Sequence, residues 1–145
     1  MNISSLLSFN AKVTCAYHNM CRPILKEFDI SQTSFDIIMF LNNNPDHYTA
    51  KEISTFKNIK PNVVSLHVDK LVNDGYLMRQ HVEGDRRKIR LSCTDKAADI
   101  IMKGRETQRA FLNRLSEGIS YEDIQIFKRC FDSIEHNVDV ITITR

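Results

Sequence analysis

The sequence predicts a mainly α protein interrupted once by a small β-hairpin. Three observations carry this. Apolar residues recur at spacings of three and four over most of the 145 residues. A short stretch, Lys88 to Cys93, instead alternates Ile89, Leu91 and Cys93 with Lys88, Arg90 and Ser92, the period of a half-buried strand. Ahead of it lies a basic turn, Glu83-Gly84-Asp85-Arg86-Arg87-Lys88, where three cations meet two carboxylates and a glycine.

Composition bounds the rest. With 42% hydrophobic and 26% charged residues, the chain is long enough for one compact core and ordinary for a soluble domain. The formal charge of +2 is unevenly spread. From Lys51 to Arg90 nine Lys or Arg face five Asp or Glu, a net +4, while the segments on either side are each −1. Positive charge in the middle third is expected where that part meets a polyanion. No run approaches the ~18 apolar residues of a membrane span, and Met1-Asn2-Ile3-Ser4-Ser5 lacks the cationic start of a signal peptide, so a cytoplasmic protein without a membrane partner is expected. Four cysteines (15, 21, 93, 130) without a C-x-x-C pair point to reduced thiols. No nucleophile elbow, glycine-rich phosphate loop or H-E-x-x-H pattern is present, so neither an enzyme nor a cofactor is expected.

The elements follow in order. Leu6, Phe9, Val13, Tyr17, Met20, Ile24 and Phe28 mark one face of a long first helix, which Pro23 should kink or interrupt. After a break at Asp29-Ile30, Ser31 is a plausible cap for a second helix carrying Phe35, Ile38 and Leu41 and stopped by Asn42-Asn43-Asn44-Pro45. Thr49-Ala50-Lys51-Glu52 is a capping-box pattern that begins a short third helix burying Ile53 and Phe56. Asn58 tolerates the left-handed turn that should follow. Pro61 opens a fourth helix with Val64, Val68 and Leu71 inward, closed by Asp74-Gly75.

Strands from about Leu77 to Val82 and through Cys93 then flank the basic turn. Beyond Thr94, Ala97, Ile101, Phe111, Leu112 and Leu115 lie on a long helix whose register breaks near Gly104. Ser120-Tyr121-Glu122-Asp123 opens the last helix, where Ile124, Phe127, Phe131, Ile134, Val138 and Ile141 form a heptad-like seam. That seam packs either on a partner helix or on the N-terminal helix of its own chain.

Helix, short turn, helix, strand, basic turn, strand is the order of a winged helix-turn-helix. In such a lobe the fourth helix presents short polar side chains to base edges in the major groove. Asn62 and Ser65 are candidates for polar contacts and Val63 or Leu66 for a thymine methyl. Pro61 starts the same face, and Lys60 and Lys70 are placed for phosphates. Thr49 and Lys51, at the start of the third helix, add backbone contacts through amides and charge. In the turn, a guanidinium is thin enough to enter a narrow minor groove.

The chain resembles the MarR family of bacterial transcription regulators over nearly its whole length. The residues that carry the resemblance are Ser31 through Phe35, Thr49-Ala50-Lys51-Glu52-Ile53, the run from Val64 to Leu77, and Asp85-Arg86-Arg87 followed by Leu91-Ser92-Cys93-Thr94. His67 and Leu66 exchange the usual apolar and polar positions of the family, and Lys57 replaces an apolar residue. The resemblance implies a single domain: a winged-helix lobe over about 31–94 and helical dimerisation segments over about 1–30 and 95–145. It implies a homodimer that binds double-stranded DNA, probing the minor groove with Arg87, oriented by Asp85, with Arg86 and Lys88 near phosphates. A repressor at a pseudo-palindromic operator is the expected role, with a small-molecule effector in a crevice that Phe9, Val13, Tyr17 and Met20 would line. Two alternatives stand beside it. One is a thiol- or metal-responsive regulator using Cys15, His18 and Cys21, although no metal site is assigned. The other is a winged-helix module that binds an acidic protein.

Overall fold

A computed structural model describes residues 2–143; Met1, Thr144 and Arg145, at the ends of the expected dimerisation segments, lie outside the described residues. Helix α1 spans Ile3–Phe28, α2 Gln32–Asn43, α3 Ala50–Lys57 and α4 Pro61–Asn73. Strands β1 (Leu77–Val82) and β2 (Asp85–Cys93) form an antiparallel hairpin, and a 3₁₀ turn at Asp95–Ala97 leads into α5 (Ala98–Leu115) and then α6 (Tyr121–Ile143). The fold class is as expected, mainly helical with one two-stranded sheet. The chain divides into two compact units, Met1–Arg109 and Ala110–Arg145, the second holding the end of α5 and all of α6. Among the described residues, no helix is long and apolar enough to cross a membrane.

The core of the first unit is organised on α2. Ser31 caps it, its Oγ accepting the Ser34 N–H at 3.1 Å. The expected stripe of Phe35, Ile38 and Leu41 is buried, but so are Ile37, Met39 and Phe40, so the helix is covered on nearly every side. An all-round apolar helix is a central one. Around it lie Cys21 and Ile24 of α1, Ile53 of α3, Val64, Val68 and Leu71 of α4, Leu77 and Leu91 of the hairpin, and Ala97 and Ile100 before and within α5.

Four expectations are corrected. Pro23 does not interrupt α1, which runs unbroken to Phe28. Pro23 and Asn19, whose carbonyl loses its helical donor, are both exposed, so water can satisfy that carbonyl. Only Cys21 and Ile24 of α1 are buried, and Leu6 and Phe9 of the expected stripe are exposed. Phe56 is exposed rather than buried; its ring lies 5.6 Å from Phe40 and 4.7 Å from His47, centroid to centroid. Gly104 is not a break. It sits buried inside a continuous α5, where a Cβ would collide with the Met39 thioether and come within 3.2 Å of Phe35 Cε2. The glycine is there because α5 passes close to α2.

The seam of α6 is present as a helix, with Ser120 Oγ accepting the Asp123 N–H at 3.1 Å at its start. None of its residues is buried: Phe127, Phe131, Ile134, Val138 and Ile141 are all exposed.

The Gly104 contact gives a prediction. Gly104→Val overpacks the α2–α5 contact and lowers stability by about 1–3 kcal/mol in urea unfolding. Gly104→Ala loses less, because about 1 kcal/mol of helix propensity offsets the displacement of a flexible Met39. Equal stability of Gly104→Val and wild type would show that the approach is not tight.

Candidate nucleic-acid interface

The helix-turn-helix is fixed by local hydrogen bonds. Thr49 Oγ1 accepts the Glu52 N–H at 3.2 Å, and Glu52 Oε2 in return accepts from Thr49 N (2.9 Å), Thr49 Oγ1 (2.7 Å) and Tyr48 N (3.0 Å). His47 Nδ1 lies 3.3 Å from the other carboxylate oxygen. Partial burial pushes the Glu52 carboxyl up, but the hydrogen bonds from Thr49, His47 and Tyr48 outweigh it and hold the group at about 2. The Thr49 hydroxyl is therefore spent on the cap, and the start of α3 already carries a carboxylate. Lys51 beside it is exposed.

Asn58 turns the chain in the left-handed region at φ 50, and Ser54 Oγ donates to the Ile59 carbonyl at 2.6 Å, closing the turn. Helix α4 then starts differently from α3. Lys60 at its cap makes no side-chain hydrogen bond, Pro61 occupies the first turn, and no acidic residue lies there. The positive end of its dipole is thus not offset. With Val64, Val68 and Leu71 buried, Lys60, Pro61, Asn62, Ser65 and Leu66 are exposed and Val63 is half-buried. Leu66, 68% exposed, is an apolar side chain standing in solvent on this face.

His67 explains the exchanged positions. Its Nδ1 lies 3.1 Å from Ser34 Oγ and 3.4 Å from Ser31 Oγ, so the imidazole is pinned to the start of α2 and Leu66 turns outward. Lys70, placed in sequence for a phosphate, is paired with Asp74 at 2.8 Å, and that hydrogen bond raises its pKa. Arg79 of β1 is paired with Asp69 of α4.

The hairpin departs from the expected turn. Only Glu83-Gly84 form the turn, with Gly84 left-handed at φ 82, and the strand begins at Asp85. Pairing runs from Leu77↔Cys93 to His81↔Ile89 and then jumps to Val82↔Asp85. Arg86, Arg87 and Lys88 therefore belong to β2, in a bulged stretch with no opposing residue on β1. Asp85 Oδ1 accepts the backbone N–H of Arg87 at 3.0 Å; it holds the main chain, not the guanidinium. Arg86 and Arg87 are exposed, and among the described residues neither forms an ion pair. Lys88 and Arg90 instead lie over the ring of Tyr48. Neither Tyr48 nor Arg90 is among the sequence-derived candidates, although Arg90 shares the strand face of Lys88.

A cleft of about 210 Å³ lies among α1, α2, α3 and α5, lined by Tyr17, Asp36, Met39, Phe40, Asn43, Asn44, Lys57 and Gln108. Lys57 Nζ is 3.9 Å from Asp36, and Gln108 Nε2 donates to the Tyr17 hydroxyl at 3.1 Å. Of the four residues expected at an effector crevice, only Tyr17 lines it. Val13 and Met20 are half-buried elsewhere on α1, and Phe9 is 62% exposed. Burial raises the pKa of the Tyr17 hydroxyl.

The cysteines divide by burial. Burial pushes the thiols of Cys21 and Cys93 up, Cys93 to about 11, which disfavours the thiolate that oxidant or metal chemistry needs. Cys15 and Cys130 are exposed. Among the described residues no group of three or more His, Cys, Asp or Glu side chains is placed to hold a metal ion.

The family model described as MarR family matches residues 30–89, which begin at the entry to α2 and end in the wing strand. That segment, which holds the winged helix, is similar to the MarR family. The fold extends the likeness. A MarR protein from Peptoclostridium difficile superposes with a TM-score of 0.78 at 18% identity, covering 95% of this chain and 90% of that one. The transcriptional regulator PA3341 gives 0.80 at 20%, covering 95% and 98%. A MarR family protein from Bacillus stearothermophilus gives 0.71 at 21%, covering 96% and 99%. Within the matched segment the capping box, the left-handed Asn58 and the bulged wing are the features that orient α4 and β2.

The Glu52 carboxyl has a pH signature. Its folded value lies below its ordinary 4.5, so its contribution to stability is complete above about 4.5 and is lost as the pH falls toward 2. Acid unfolding followed by circular dichroism should show this loss in the wild type. Glu52→Gln should be less stable at neutral pH and should lose less between pH 4.5 and 2; identical acid profiles would contradict the assignment.

Proposed function

We propose that the chain is a sequence-specific double-stranded DNA-binding transcriptional regulator acting as a homodimer, a repressor at a pseudo-palindromic operator. The observation that carries the reading is the start of α4. An uncapped helix N-terminus free of acidic residues presents Asn62, Ser65 and Leu66 to solvent, while Val64, Val68 and Leu71 anchor its opposite face to α2. Such a helix can enter a major groove, donate and accept at base edges through Asn62 and Ser65, and offer Leu66 to a thymine methyl. Lys60 and Lys51 are then phosphate contacts. The bulge in β2 displays Arg86 and Arg87, which among the described residues have no ion-pair partner, the condition for a guanidinium to be held by the potential of a narrow minor groove. Lys70 is a weaker candidate than its position in sequence suggests, because a phosphate must compete with Asp74.

The exposed seam of α6 supports association with a second copy through helix packing. Two such lobes would engage half-sites about one helical turn apart, roughly 34–36 Å. The cleft beside Tyr17 is the place proposed for a small effector. A ligand there touches α1, α2, α3 and α5 together, and a difference in its affinity for two lobe arrangements would shift the DNA-competent population.

Genomic footprinting with the purified protein, followed by titration of the recovered duplex at several salt concentrations, tests the reading. Affinity should fall steeply with salt. Asn62→Ala and Ser65→Ala should each cost about 1–3 kcal/mol and relax preference at one base position. Arg87→Ala should cost a similar amount. A wild-type protein without duplex affinity at low salt would overturn the proposal.

A further inference from the structure

Tyr48 lies outside α4 and the hairpin, yet it is bound to the proposed DNA-binding elements on three sides. Its N–H donates to Glu52 Oε2 at 3.0 Å, within the capping box of α3. Its carbonyl accepts the Leu91 N–H at 2.8 Å, so the residue lies along the edge of β2 that β1 leaves open. An edge contact of this kind sets a side chain beside the neighbouring strand's side chains on the same face. On β2 that face carries Lys88 and Arg90, two residues apart. Both cations are over the Tyr48 ring, Lys88 Nζ at 5.0 Å and Arg90 Cζ at 4.7 Å from its centroid. Both distances are within the range at which an aromatic face attracts a cation.

We infer that Tyr48 is a positioning residue for DNA recognition, an aromatic clamp that holds Lys88 and Arg90 and ties the stem of the wing to the start of the helix-turn-helix. This rests on the DNA-binding reading above. The clamp divides the four wing cations into two pairs. Lys88, the last residue of the bulged stretch, and Arg90, in the paired stem, are held at a fixed height relative to α3. Arg86 and Arg87 are left to the bulge, where they can enter a groove. Without the ring, two long cationic side chains and the strand between them lose their placement before DNA arrives, and the ordering cost falls on binding.

The experiment is a double-mutant cycle in the full chain, using a duplex that carries the footprinted site. Tyr48→Leu should weaken binding about tenfold, the scale of two exposed cation–π contacts. Tyr48→Phe, which keeps the ring, should bind within about twofold of wild type. In a Lys88→Gln/Arg90→Gln background, Tyr48→Leu should have almost no further effect, because residues that act through one another are not additive. A free-protein measurement separates the clamp from the DNA reading. Proton NMR should show ring-current shifts of the Lys88 ε-methylene and Arg90 δ-methylene, retained in Tyr48→Phe and absent in Tyr48→Leu.

An equal loss from Tyr48→Leu in both backgrounds would overturn the proposal, as would no loss in the wild-type background or a Tyr48→Leu protein unfolded at the assay temperature. Loss of affinity in Tyr48→Phe would assign the role to the hydroxyl instead of the ring and also overturn it. If the wild-type protein binds no duplex, the DNA reading fails, and the ring-current shifts still decide whether the clamp exists.

Discussion

Burial of α2 is the constraint on which the rest of the first unit depends. Seven of its twelve residues are buried, and each neighbouring element contributes a side chain to the cover. A helix covered this completely cannot shift without moving its neighbours, because close-packed interiors leave no slack. The contact at Gly104 is one expression of this. The pinning of His67 to Ser31 and Ser34, at the capped end of the same helix, is another. Together they fix which face of α4 is turned outward, and so place Asn62, Ser65 and Leu66 in solvent.

The two helix starts in the helix-turn-helix divide the electrostatic work. Helix α3 is closed by a reciprocal cap whose carboxylate is held strongly acidic by its hydrogen bonds. Helix α4 is left open, with a proline in its first turn and no acid. An anion approaching this lobe meets a negative cap at one helix and an uncompensated dipole at the other, which favours α4. The acid–base pairs Lys70–Asp74 and Arg79–Asp69 further reduce the positive field at the far end of α4. Among the described residues Arg86 and Arg87, exposed on the bulge that follows the short Glu83-Gly84 turn, enter no ion pair, and neither do Lys51 and Lys60 at the two helix starts.

Much of this was legible in the residues alone because it is local. The capping box at Thr49, the left-handed Asn58, Pro61 in the first turn of α4 and the glycine after Asp74 are short-range signals, and each element boundary they mark stands in the structure. The misread features are those set by tertiary approach. Phe56 carries the right period for burial but lies where its helix ends on the surface. Gly104 looks like a break because the only sign of a close helix crossing is the missing Cβ. The bulge moves Arg86 to Lys88 from turn to strand, since periodicity cannot count unpaired residues. In the candidate site, α4 was readable because one buried stripe defines its opposite face. The cleft at Tyr17 was not, because Asp36, Lys57 and Gln108 meet only through folding. Tyr48 was missed for the same reason: its partners Lys88, Arg90 and Leu91 are about forty residues away in sequence.

The central claim is that the open start of α4 and the bulged wing together form a duplex-binding face. Hydrogen–deuterium exchange of the full chain, with and without the footprinted duplex, tests it most directly. The account predicts slowed exchange in two places, the first two turns of α4 and the stretch from Asp85 to Lys88, with the wing responding most because its bulged amides lack strand partners. Binding of the duplex with those two segments unchanged, and protection confined to other parts of the chain, would contradict it.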